Sequence, residues 1–193
     1  MTARHPDHPV DPQFPARWSP RSFAADTMSE AEVLSLLEAA RWAPSASNHQ
    51  PARFAYGLRG DASFVTIFDA LMGFNTVWAG KAAALIVVAS RTTVAKDDTQ
   101  APNAWHAFDA GAAWMSLALQ AQAMGLVAHA MGGFEGEKLA PALELPEGHH
   151  IHVVVAVGRK GDIEDLPEKL QAREMPSPRR PVAEVAARGR FPA

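Results

Sequence analysis

Cysteine is absent from this 193-residue chain, which excludes disulfides, thiolate metal sites, thiol nucleophiles and any cysteine-based redox couple. If the protein handles electrons, a bound cofactor has to carry them. No apolar run approaches the roughly 20 residues that span a bilayer; the longest clean one, residues 82–89, has the length of a strand. Neither charge sign dominates: 18 basic against 21 acidic side chains leave a net charge of −3. The basic residues are also scattered, so neither a nucleic-acid footprint nor a membrane-binding stripe is indicated. A Gly-x-Gly-x-x-Gly fingerprint after a strand is missing, as is a Walker lysine loop, which leaves the Rossmann and P-loop classes without support. Residues 1–14 are rich in Pro, His and Asp and lack an apolar h-region. They read as a flexible arm rather than a secretory signal, and a soluble cytoplasmic protein is expected.

What is present is 48% hydrophobic residues with no shift in composition, so residues 15–193 are predicted to form a single domain with a full core. Helical periodicity begins after Ser29, an N-cap by its chemistry, with Glu30 and Glu32 where negative charge suits the helix dipole. It ends near Trp42, stopped by Pro44. Residues 54–58 read as a strand, 60–61 as its turn, 63–71 as a second helix, and 78–83 as a brief helix leading into a strand at 84–89 buried on both faces. Residues 91–102 are polar and patternless, a loop or lid. From Trp105 to Met124 the sequence is apolar nearly all round, with Asp109, Ser116, Gln120 and Gln122 as polar interruptions after His106. A helix without a broad solvent face must be enclosed, and in a chain this small a second subunit is expected to supply part of the enclosure. Strands at 126–130 and 150–157 flank a short helix at 137–143. A charged, proline-rich tail follows Asp162. Helices around a mostly antiparallel sheet make the class α+β.

Two polar segments stand out. In Arg17-Trp18-Ser19-Pro20-Arg21 two guanidinium groups and a hydroxyl alternate along a proline-restricted, extended stretch, which places all three on one side. Planar guanidinium forks suit a phosphate. Pro44-Ser45-Ala46-Ser47-Asn48, followed by Gln50-Pro51, crowds donors and acceptors into a loop able to hydrogen-bond a flat heterocycle. Singly, each reads as an ordinary loop. Together with Asn75-Thr76-Val77-Trp78-Ala79, Met131-Gly132-Gly133-Phe134 and Pro178-Arg179-Arg180-Pro181-Val182, in this order, they resemble the nitroreductase family over roughly residues 17–185.

The resemblance implies an intertwined homodimer with FMN at the subunit interface. Arg17, Arg21 and one of Arg179 and Arg180 would hold the phosphate, with Ser19 assisting and Trp18 alongside. Pro44, Ser45, Ala46, Ser47 and Asn48 would meet the ring or ribityl chain from one subunit. Asn75, Trp78, Met131, Gly132 and Gly133 would form the other wall, and the tail would wrap across the second subunit. The implied activity is an FMN-dependent NAD(P)H oxidoreductase. It would work by ping-pong on an electron-poor acceptor such as a nitroaromatic, quinone or enal, with no catalytic side chain because the flavin does the chemistry. An FMN carrier or sensor without turnover is the alternative, and the sequence does not choose between NADH and NADPH.

Two positions depart from the family pattern. Trp78 stands where many relatives carry lysine, with Lys81 one turn on as a candidate replacement, and Ala52 stands where relatives commonly carry tryptophan. His149-His150-x-His152, and His106 with Asp109 at i, i+3, lack a completing ligand set and are read as turn and interface residues rather than a metal site.

Overall fold

The computed structural model describes residues 4–192. A turn of helix, α1 (Gln13–Ala16), precedes the extended segment at Arg17. Helix α2 (Glu30–Arg41) starts at Ser29 with a reciprocal capping box: the hydroxyl accepts the Glu32 N–H, and the Glu32 carboxylate accepts the Ser29 N–H. Val33, Leu36 and Ala40 form its buried stripe. Next come β1 (Ala52–Leu58), α3 (Ala62–Phe68), α4 (Asn75–Trp78) and β2 (Ala84–Arg91). A hairpin follows, β3 (Thr93–Lys96) with β4 (Thr99–Pro102), and then the long helix α5 (His106–Ala123). The rest is β5 (Val127–Met131), α6 (Gly136–Ala142), β6 (His149–Gly158), α7 (Glu168–Gln171) and α8 (Val182–Val185).

Four strands form one sheet in the order β1-β2-β6-β5, every pair antiparallel. The two inner strands, β2 and β6, are the apolar runs, because a strand covered on both faces has no reason to alternate. One face packs against α2 and α5, where Val33, Leu36, Ala113 and Leu117 meet Ile86, Val88, Val155 and Val157. On the other face Phe23, Ile67, Trp78 and Leu139 meet Leu85, Val87, Val154 and Ala156.

Three expectations change. Residues 91–102 are not a patternless lid but the β3–β4 hairpin, turned at Asp97 with φ 51°; aspartate takes the left-handed conformation there without the glycine that usually announces it. The second helix ends at Phe68. The brief helix expected at 78–83 begins at Asn75 and continues as a single 3₁₀ turn over Ala79–Lys81. As for α5, one chain covers one side of it: Ala110, Ala113, Leu117 and Ala121 are buried, whereas Phe108 is 77% and the preceding Trp105 59% exposed.

Candidate functional site

Arg17, Trp18, Ser19 and Arg21 are half-buried in irregular chain at the β5 edge of the sheet. Arg17 Nη1 donates to Ser19 Oγ at 3.4 Å. Two side chains that sequence reasoning missed hold this segment. His129 on β5 places Nδ1 2.9 Å from the Pro20 carbonyl, and burial lowers its pKa, so the ring is a neutral N–H donor. Glu174 in the tail is buried and accepts from Arg21 N at 2.7 Å, Ser22 N at 2.8 Å and Ser22 Oγ at 3.0 Å. Its other oxygen lies 3.9 Å from Arg21 Nη1, so the charge of Arg21 is offset from inside the protein.

Arg179 comes to the same place from the opposite end of the chain. Its Nη1 donates to the carbonyls of Ser177 and Pro178 at 3.3 and 3.0 Å. Burial, and then repulsion from Arg179, lower the pKa of Arg17. Among the described residues neither Arg17 nor Arg179 pairs with a carboxylate. Arg179 and Arg180 both line a cleft of about 720 Å³ between the tail and the N-terminal residues Arg4 to Val10.

The glycine wall forms nearby. Asn75 Nδ2 and Met72 N donate to the Gly133 carbonyl at 3.1 and 3.0 Å, tying the start of α4 to the chain just beyond β5. A Cβ on Gly133 would lie 3.0 Å from Asn75 Nδ2, so the close approach favours glycine. Met131, the last residue of β5, is buried beneath. Trp78 is a correction. Its indole is 2% exposed inside the core, stacked on Phe23 at 6.0 Å and tilted against His129 at 4.7 Å, and it has no face left for a ligand. Lys81 does not substitute for the missing lysine either, because its ammonium pairs with Asp165 at 3.2 Å on the surface.

The second half of the site lies elsewhere. After Pro44, the Ser45–Asn48 loop makes a 3₁₀ turn in which Ser47 (φ 49°) and Asn48 (φ 55°) are left-handed, as is Gln50 (φ 47°). Three non-glycine residues in that region within four positions cost of order 1–3 kcal/mol each, a strain that clusters at ligand sites. Asp109 of α5 restrains the loop, its buried carboxylate accepting the Ala46 N–H at 3.2 and 3.3 Å. Ser45 Oγ accepts Gln50 N–H at 2.9 Å. Below lies a cleft of about 540 Å³ lined by Pro44, Ser45, Ala52 and Asp109, among others. His106, which shares a helix face with Asp109, turns to Ser90 on β2: its Nδ1 and His152 Nε2 each lie 2.7 Å from Ser90 Oγ.

Strand directions place both halves at one end of the sheet but on opposite edges. β1 runs parallel to β6 and β5 runs against it, so the start of β1 and the end of β5 lie at the same end. Three strand spacings, about 14 Å across the sheet, separate their edges, and the register offsets them further along the strands. A single chain does not join the two halves.

Known proteins resemble this chain along most of its length. The profile of the Nitroreductase family matches residues 15–63 and 58–159. A solved oxidoreductase containing FMN is 44% identical, covers 99% of this chain and 98% of its own, and superposes with a TM-score of 0.95. A protein of Desulfovibrio desulfuricans solved in complex with FMN is 27% identical over 95% of this chain and all of its own, with a TM-score of 0.72. An uncharacterized 15.4 kDa protein of Mycolicibacterium smegmatis is 36% identical over 148 residues, 72% of this chain and 97% of its own. This chain belongs to the Nitroreductase family.

Proposed function

We propose that the protein is an FMN-dependent oxidoreductase working as a homodimer. The observation that carries this reading is that Arg17 and Arg179, from opposite ends of the chain, are drawn together through Arg4 and the Ser177 carbonyl, neither being ion-paired with a carboxylate among the described residues. Two clustered cations of this kind fit a phosphate. The rest of the donor set fits a flavin: a glycine backbone beside Asn75, and a strained loop rich in N–H groups and hydroxyls. FMN, when bound, supplies hydride chemistry, taken from NAD(P)H and passed by ping-pong to an electron-poor acceptor such as a nitroaromatic, quinone or enal. The chain's own task is placement. Arg17, Ser19 and Arg179 hold the phosphate, Asn75 fixes the Gly132-Gly133 backbone beside the ring, and Ser45, Ser47 and Asn48 of the other subunit complete the opposite wall. The 44% identical FMN-containing oxidoreductase supports the cofactor.

Anaerobic stopped-flow mixing of the FMN-loaded protein with NADH and with NADPH tests the reading. Rapid bleaching of the flavin band, reversed by a nitroaromatic or quinone, is expected and settles the donor. A bound flavin that neither nucleotide bleaches would turn the assignment to the FMN carrier, a reading favoured by one observation: the position where relatives hold lysine is a tryptophan sealed in the core.

A further inference from the structure

The family motif names Arg17, Arg21 and a tail arginine, yet the charge of Arg21 is already offset by Glu174 at 3.9 Å. A further guanidinium, outside the family motif, joins the same segments. Arg4 lies in the N-terminal segment that composition marks as a free arm, but its side chain spans three backbone carbonyls. Nε donates to Ser177 O at 2.9 Å, and Nη1 donates to Pro15 O at 2.9 Å and Arg17 O at 2.7 Å. Two of these acceptors belong to the chain that carries Arg17. The third, Ser177 O, is the carbonyl to which Arg179 also donates, at 3.3 Å. One planar fork therefore joins the two arginine-bearing segments from opposite ends of the sequence.

We propose that Arg4 is a positioning residue of the phosphate site, setting the spacing of Arg17 and Arg179 and adding a third positive charge beside them; the proposal rests on the FMN reading above. The charges support the geometry. The pKa of Arg4 is lowered by burial, then by Arg179 and by Arg17, so the three cations sense one another. Among the described residues none of them has a carboxylate partner. Like charges held together by main-chain carbonyls cost stability until an anion arrives, and a dianionic phosphate is the group that relieves all three at once. Lysine would not serve, because a single ammonium lacks the fixed fork that reaches separate carbonyls.

The test compares FMN with riboflavin, which has the same ring and ribityl chain but no phosphate. Affinities are read from quenching of flavin fluorescence for the wild type, Arg4→Ala and Arg4→Lys, with circular dichroism confirming that each variant folds. Arg4→Ala should weaken FMN roughly tenfold, the effect expected for one charge-assisted contact, while riboflavin binding is unchanged. Arg4→Lys should remain weakened. An Arg4→Ala affinity for FMN equal to that of the wild type overturns the proposal, as does an equal loss for FMN and riboflavin, or full rescue by lysine. A wild type that binds neither flavin overturns the cofactor reading itself.

Discussion

Asp109 is a residue whose role depends on a single contact. One turn into α5, its buried carboxylate accepts the Ala46 N–H and so holds a loop with left-handed Ser47, Asn48 and Gln50. Without that acceptor the loop relaxes toward ordinary backbone angles. Asp109→Ala should cost about 1–3 kcal/mol in urea unfolding and weaken FMN binding several-fold, since the polar groups of Ser45 to Asn48 would no longer be pre-set. Unchanged FMN affinity would show that the loop needs no restraint. Some contacts at this scale were legible in the sequence: Arg17 and Ser19, alternate residues of one extended segment, do meet, and so do Asn75 and Gly133. Trp78 was misread because a family pattern transfers a position, not its surroundings, and here the surroundings are Phe23 and His129. Arg4 and Glu174 were invisible for a different reason. The contacts of Arg4 with Ser177, and of Glu174 with Arg21 and Ser22, each join residues more than 150 apart in sequence, and no periodicity or spacing rule reaches that far.

Secondary elements were legible wherever apolar periodicity and a cap agreed, as in α2 with its capping box. They were missed where the turn residue was unconventional, as at Asp97 in the β3–β4 hairpin. The join of β1 to α3 illustrates a constraint the pattern conceals. A Cβ on Gly57 would sit 2.2 Å from Phe64 N and 2.5 Å from Ser63 C, backbone atoms that cannot rotate away. Gly57→Ala should therefore cost about 3 kcal/mol or more, read as a lower urea midpoint.

The histidines at the sheet make a second test between elements. His152 on β6 shares the Ser90 hydroxyl with His106, and its pKa is lowered by burial and then by His150 and His106. His129 is lowered by burial as well, with Arg21 adding to the shift. The unfolded chain therefore binds protons that the folded chain resists, so both groups contribute fully above the ordinary histidine pKa of about 6.5 and lose that contribution as pH falls through their lowered values. Thermal midpoints should drop from about pH 8 to about pH 5, and the drop should flatten in the His129→Gln, His152→Gln double variant. An equally steep fall in the variant would assign the acid lability to other groups.

At the scale of the whole molecule, the two halves of the site pose a problem that one chain does not solve. The Ser45–Asn48 loop and the Gly132-Gly133 backbone sit at the same end of the sheet but beyond its opposite edge strands, at least about 14 Å apart across its strands. The composition of α5 carries the answer. Its apolar surround was legible in the sequence, and the structure leaves part of that surface open, with Phe108 77% and Trp105 59% exposed beside the second half-site. A two-fold axis against this face would bury both aromatics. It would also bring the loop of one copy to the glycine wall of the other, making two complete sites from four halves. Light scattering should then give about twice the chain mass of 20.7 kDa. Phe108→Glu, placing a charge at the centre of the expected contact, should yield a folded monomer that no longer retains FMN, because burying an unpaired carboxylate opposes association. A Phe108→Glu monomer with wild-type FMN affinity would mean that each chain builds its own site, and the strained loop would then need another purpose.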